Sequence, residues 1–190
     1  WHNEKHNKRV EPLNDKMKGS FLGPEFSQEE IEKNLIQIGA NFDIFNEELI
    51  IEKTAECISN GKAVGWFQGR MEFGPRALGG RSILGDPRSS SMQKNLNLKV
   101  KFRESFRPFA PSVLKEDTHK WFNINCESPY MLLVANINDE LKIEMSKEEK
   151  NLFGIEKLNI PRSKIPAVTH VDYSARIQTV KKETNKRYYK

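Results

Sequence analysis

Ala63-Val64-Gly65-Trp66-Phe67 runs, through Gln68, into Gly69-Arg70-Met71-Glu72-Phe73-Gly74-Pro75-Arg76-Ala77-Leu78-Gly79-Gly80-Arg81-Ser82, and the reading of this stretch decides the fold. The first part is short, apolar and rich in residues that suit a pleated sheet, so it predicts a buried strand. The second part nearly matches a phosphate-binding loop. Gly74 and Gly79 have the required spacing, but Gly80-Arg81-Ser82 follows where Lys and Ser or Thr should come directly after Gly79. The physical ingredients remain: a strand feeds a glycine-rich turn whose N–H groups can point at an anion, with Arg76 and Arg81 beside it.

Charge around that turn strengthens the anion reading. Between Arg70 and Arg107 nine cations accompany three anions, a local net of +6, whereas the whole 190-residue chain nets +5. Six of those nine are Arg, while the rest of the chain holds four Arg and 18 Lys. A guanidinium fork suits bidentate binding of phosphate or carboxylate, whereas a merely solvated face is usually built from Lys and Glu. Seven of the 11 glycines also fall between Gly61 and Gly85, where they let the backbone approach a ligand. The competing reading is a loop held by structural Arg–carboxylate pairs.

Working outward, Lys99, Lys101 and Arg103 alternate, so an extended chain would place all three on one face. Such a face needs a neutralising anion or facing carboxylates, or it protects an edge strand. His170-Val171-Asp172 sets an imidazole and a carboxylate at i, i+2 on a predicted strand 167–171, which suits either an oriented base or plain core hydrogen bonding. Phe67, Phe73, Phe102, Phe106 and Phe109 interleave with the cations, but their apolar or Pro-flanked contexts read as core.

The remaining elements follow from periodicity. Ser27-x-x-Glu30 forms a capping-box pattern ahead of a helix over 28–38, and a second amphipathic helix spans 47–60 with Asn60-Gly61 as its stop. Further strands are predicted at 82–84, 130–137 and 176–180, and helices near 90–96 and 115–122. The alternation predicts an α/β (α+β) domain around a mixed sheet over residues 21–190. Residues 1–20 read as a tail or linker, in which the His2/His6 spacing reflects chance, and 138–164 as an insertion.

No apolar stretch approaches the roughly 18–20 residues of a membrane span, so no membrane partner is expected. Cys57 and Cys126 show no metal-like or redox spacing and point to a reducing cytoplasm, with a single disulfide between them as the minor alternative. No nucleophile elbow, HExxH helix or EF-hand loop occurs. The missing initial Met and the charged end at Lys190 read as a fragment of something longer.

Several long motifs in order now match a family. Gly65 to Gly79, Arg81-Ser82-Ile83-Leu84, Asp86-Pro87-Arg88, Lys101 to Val113, Pro166 to Asp172 and Ala175 to Val180 closely resemble the O-carbamoyltransferases of nodulation-factor and antibiotic biosynthesis. The resemblance covers roughly residues 21–190 and implies a YrdC-like C-terminal lobe, a twisted mixed sheet with flanking helices, incomplete at its C-terminus. It further implies binding of ATP, with Mg²⁺, and of carbamoyl phosphate, and formation of carbamoyl adenylate. An actin-like, metal-binding lobe of the same parent chain would pass the carbamoyl group to an acceptor hydroxyl.

Motif by motif, the resemblance carries Arg76, Lys101 and Arg107 over as the catalytic positions. Arg81, Arg103, His170 and Arg176 join them as contacts to carbamoyl phosphate and nucleotide phosphates. No metal ligand is expected within this stretch. Two phosphorylated substrates need a cluster of cations more than a covalent nucleophile, which fits the lack of a triad. The rival readings are a non-catalytic RNA-binding module and a YrdC-like enzyme making threonylcarbamoyl adenylate.

Overall fold

The computed structural model describes residues 15–190, so the His2/His6 pair and most of the proposed tail lie outside the described residues. Asp15 to Ser20 are not a bare tail end: Gly19 and Ser20 are buried, and Tyr130 donates its hydroxyl hydrogen bond to Asp15.

Helix α1 (Gln28–Gln37) starts as the sequence predicts. Ser27 Oγ accepts from the Glu30 N–H, and the Glu30 carboxylate accepts from the Ser27 N–H, so two otherwise orphaned donors are satisfied. Helix α2 (Glu47–Ser59) is capped by Asn46, and Gly61 leaves it at φ +74, in the left-handed region that glycine enters without a Cβ clash. Strands β1 (Val64–Phe67) and β2 (Arg81–Leu84) pair antiparallel, Val64 opposite Leu84 and Phe67 opposite Arg81. The glycine-rich segment is therefore the long connection of a hairpin.

Helix α3 (Met92–Lys99), strand β3 (Ser112–Leu114), helix α4 (Thr118–Trp121), β4 (Phe122–Asn123) and β5 (Leu133–Ile137) follow. After short helices α5 (Lys147–Lys150) and α6 (Ile155–Leu158) in the 138–164 excursion come β6 (Ser174–Val180) and α7 (Lys186–Tyr189). The four-stranded sheet runs β3-β6-β5-β4, with β6 parallel to β3 and antiparallel to β5. This is the mixed α/β arrangement that the alternating pattern predicts.

Central strand β6 is buried on both faces, and its alternation sorts its side chains. Ala175 and Ile177 enter the main core with Phe122, Ala135, Ile137, Ile165 and Val168. Arg176, Gln178 and Val180 lie on the opposite face. A second apolar group, Met92, Leu96 and Ala167 with Ile83 and Phe109 against it, fastens α3 and the hairpin to the sheet.

Two expectations are corrected. Residues 166–168 form a 3₁₀ turn rather than a strand, with Pro166 at its start. Thr169 Oγ1 donates to the Ile165 carbonyl at 2.8 Å and lies 2.6 Å from Ser163 Oγ, which closes the turn locally. Similarly, Lys99, Lys101 and Arg103 do not share an extended face. Lys99 ends α3, Phe102 takes φ +48, and the Arg103 N–H donates back to the Asn97 carbonyl at 3.0 Å.

Candidate functional site

The glycine-rich turn does gather N–H groups around an anion, but the anion is the chain's own. Glu72 Oε1 accepts from the N–H groups of Leu78 at 2.7 Å, Gly80 at 2.7 Å and Arg81 at 3.1 Å. Its carboxyl is buried, which alone would raise the pKa, yet the surrounding N–H donors bring it below the usual glutamate value. Gly80 has no room for a side chain, since a Cβ there would stand 2.8 Å from the Arg70 carbonyl. Closing the ring from Glu72 to Leu78 carries Arg76 on its outside, toward the sheet.

There Arg76 borders a cleft of about 600 Å³ between the hairpin, the segment 101–111 and the β3–β6 edge of the sheet. Among the described residues four cations line it: Arg76, Lys101, Arg103 and Arg176. Asp86 is the one acid among the described lining residues, and it is taken by a bidentate pair with Arg88, at 2.7 Å from Arg88 Nη2 to Asp86 Oδ2. No ion pair among the described residues engages any of the four lining cations. The Nε atoms of Arg76 and Arg176 are buried with no hydrogen-bond partner among the described residues. Burial, and then the like charge of Arg76, press the Arg176 pKa below the usual arginine value.

Each wall is held from behind. Arg103 donates to Asn97 Oδ1 at 2.6 Å and lies over the Phe109 ring. The Asn97 amide, fully buried, donates in turn to the carbonyls of Ser105 and Arg107, so the whole 103–107 bend hangs on α3. Gln178 donates to the Leu78 carbonyl at 2.8 Å and accepts from Ser112 Oγ at 2.8 Å, which ties the glycine turn to two strands. Tyr188 from α7 covers Gly79, where a Cβ would meet its ring at 2.4 Å, and donates to Ser112 Oγ at 2.9 Å.

The sequence-predicted site residues therefore separate. Arg76, Lys101, Arg103 and Arg176 converge on the cleft. Arg81 is beside it but spends its guanidinium on the carbonyls of Gln68, Gly80 and Gly69, stacked on Phe67 at 3.4 Å. Arg107 stands outside the lining, in an exposed pair with Glu104 at 2.9 Å. His170 also stands outside it. Its Nδ1 lies 2.9 Å from Ser174 Oγ, which donates to Asp172 Oδ1, and the ring is held through Ser174 rather than paired with Asp172 directly. Burial, with Arg176 and Arg162 nearby, lowers the His170 pKa despite Asp172.

Sequence reasoning missed Glu72, Asn97, Ser112, Gln178 and Tyr188. Only Glu72 left a signal, as the one acid inside the glycine-rich motif. The phenylalanines are a further correction: Phe67, Phe73, Phe102 and Phe106 are exposed, Phe102 at 86 %, and only Phe109 packs against the core. Cys57 and Cys126 are both free thiols. Among the described residues no helix is long and apolar enough to cross a membrane, and no group of His, Cys, Asp and Glu could hold a metal ion.

Over its full length the chain is 56 % identical to uncharacterized protein sll1178 of Synechocystis, of which it covers 31 %. It is 38 % identical to nodulation protein NolNO of Sinorhizobium fredii, with 92 % of the chain and 23 % of that protein aligned. With the 3'-hydroxymethylcephem-O-carbamoyltransferase of Streptomyces clavuligerus it shares 39 % identity over 69 % of the chain and 21 % of the relative. The chain thus spans under a third of the length of these relatives. The family model described as Carbamoyltransferase C-terminus matches residues 55–190, the segment that holds the hairpin, the cleft and all four lining cations, and the chain belongs to that family.

Proposed function

We propose that this chain is the phosphate-handling, YrdC-like part of a cytoplasmic ATP-dependent O-carbamoyltransferase, and that its cleft takes carbamoyl phosphate and ATP. The observation that carries the reading is the pair Arg76 and Arg176. Two guanidiniums share one cleft, and among the described residues nothing accepts from their Nε donors and no carboxylate engages them. Such a pair is costly in the empty protein and is relieved by an anion that accepts from both. Lys101 adds a point charge at the exposed edge, and Arg103 a planar donor already fixed by Asn97.

The proposed reaction has two steps. Water cleaves the phosphate from carbamoyl phosphate, leaving carbamate and inorganic phosphate. A carbamate oxygen then attacks the α-phosphorus of ATP, the bond to the β-phosphate breaks, and pyrophosphate leaves carbamoyl adenylate behind. The residues of this chain bind and orient the phosphates and offset charge on the phosphoryl oxygens, which is most of what such transfers ask of a protein. Mg²⁺ fits as a passenger on the nucleotide phosphates, since the one acid among the described cleft residues is already held by Arg88. Transfer to an acceptor hydroxyl belongs to an actin-like lobe of the same parent chain, so the isolated chain carbamoylates no acceptor.

Titration calorimetry with carbamoyl phosphate and with ATP·Mg²⁺ tests the reading. Binding by the wild-type chain, lost in Arg76→Ala with Arg176→Ala, supports it, and no binding by a demonstrably folded chain overturns it. Supplying threonine and bicarbonate instead separates a threonylcarbamoyl-adenylate enzyme by product mass. The exposed Phe67, Phe73, Phe102 and Phe106 favour a second reading, a single-stranded RNA platform on the outer surface. Tighter binding to an oligonucleotide than to ATP, with a steep salt slope, would promote it.

A further inference from the structure

The glycine-rich turn has the form of an anion nest whose occupant is covalently attached. Three N–H groups converge on one oxygen of Glu72, a residue that does not line the cleft. The bonds to Leu78 span six residues of chain, and Arg76 rides on the loop they close. Space around the carboxylate is fully used, since Gly80 could not gain a Cβ without meeting the carboxylate carbon at 3.1 Å. On its other side the loop is pinned by Gln178, whose amide donates to the Leu78 carbonyl, so the residue that ends the Glu72 ring is held at both its N–H and its C=O.

From this geometry we infer that Glu72 is a positioning residue: its carboxylate stands in for a bound anion and fixes the 72–80 loop so that Arg76 faces Arg176 across the cleft. The inference rests on the proposed phosphate site for its effect on ligand binding, but the placement of Arg76 is a property of the ligand-free chain. A phosphate cannot use this nest while Glu72 fills it. The phosphate affinity of the site is thereby moved from the glycine turn to the two guanidiniums, and the turn becomes the frame that aims one of them.

The same geometry supplies a test that a merely structural carboxylate would not pass. Glu72→Ala leaves three converging N–H groups around an empty space of the size of a small carboxylate. In ¹⁵N-labelled chain, the amide signals of Leu78, Gly80 and Arg81 and the side-chain Nε–Hε signal of Arg76 should all move in the variant. Adding formate should return all four together, and should restore carbamoyl phosphate affinity lowered about tenfold or more by the substitution. Glu72→Gln, which keeps an acceptor oxygen of the same reach, should fall between the two and covers the case in which Glu72→Ala does not fold. Formate returning the three amides while Arg76 stays displaced would overturn the inference, as would an Arg76 signal unmoved by either substitution. No phosphate binding by the wild-type chain, with the Arg76 shift and its formate rescue still seen in Glu72→Ala, would sink the proposed phosphate site and leave the role of Glu72 standing.

Discussion

Arginines on the inner wall of the cleft and arginines on its outside are the same residue type in one basic neighbourhood, yet their surroundings are opposite. Outside, Arg88 grips Asp86, Arg107 pairs with Glu104, Arg70 lies 3.5 Å from Glu25, and Arg81 fills three backbone carbonyls. Inside, Arg76 and Arg176 have buried Nε atoms that nothing among the described residues accepts from. Residue type and local charge density do not distinguish the two groups. What does is whether an acceptor lies within reach: the outer arginines each have one, and among the described residues the Nε atoms of Arg76 and Arg176 do not. Both readings of the basic window, an anion site and a set of structural pairs, are therefore present at once.

The largest expected break in that contrast comes from removing the inner pair. Arg76→Ala with Arg176→Ala deletes two charge-assisted contacts, each worth about 1.5–3 kcal/mol, so carbamoyl phosphate affinity should fall about a hundredfold or more by calorimetry. Thermal stability of the ligand-free chain should hold or rise, because the change removes two like charges in a partly buried cleft. A clear drop in melting temperature with unchanged affinity would erase the distinction between inner and outer arginines.

Arg81→Ala is the mirror experiment. It loses three bonds to carbonyls and the stacking on Phe67, a cost of about 2 kcal/mol, which corresponds to about 5 °C in a chain of this size. Affinity for carbamoyl phosphate should change less than about twofold after correction for unfolded chain. A selective loss of affinity would move Arg81 into the site.

Acid sharpens the same comparison, because the outer network is held by carboxylates and the inner pair is not. Glu72 is held by N–H donors against the opposing effect of its burial, and Asp86 chiefly by Arg88, and both titrate below their ordinary values of 4.5 and 3.8. As pH falls through that range the unfolded chain takes up protons first, so the stability these groups contribute is complete above their ordinary values and is lost as pH drops through the lowered ones. Urea midpoints should therefore decline steeply below about pH 4.5, and less steeply in Glu72→Gln. Equal slopes in the two proteins would show that Glu72 ionises alike folded and unfolded.

How much of this was legible in the sequence depends on the range of the interaction involved. The Ser27–Glu30 box and the glycine stop after α2 are local, and both helices sit where their signals place them. Strand β1 likewise announces itself by a short apolar run, and the predicted strand 176–180 is the C-terminal part of central strand β6. Ala167-Val168-Thr169-His170-Val171 has the composition of a strand, but Pro166 and the Ser163–Thr169 contact turn it into a 3₁₀ bend, and the contact is invisible without the fold. Arg76 and Arg176 stand a hundred residues apart, and only the pattern of whole motifs brought them together before the structure did. That the nest's anion would be Glu72 is an interaction over six residues that no spacing rule encodes.

The smallest expected effect belongs to the rim, where Arg107 is exposed and paired with an equally exposed Glu104. Such pairs contribute little because solvent screens both charges, so Arg107→Ala should leave the melting temperature close to that of wild type. Its carbonyl, not its side chain, is the part held by Asn97, and the substitution leaves that bond in place. A ligand phosphate reaching the rim would compete with Glu104 for the guanidinium at modest gain, so affinity should drop about threefold at low salt and become indistinguishable from wild type at high ionic strength. A loss that persisted in high salt would mean that Arg107 turns inward when ligand binds, and that the boundary between outer and inner arginines is set by the ligand as well as by the fold.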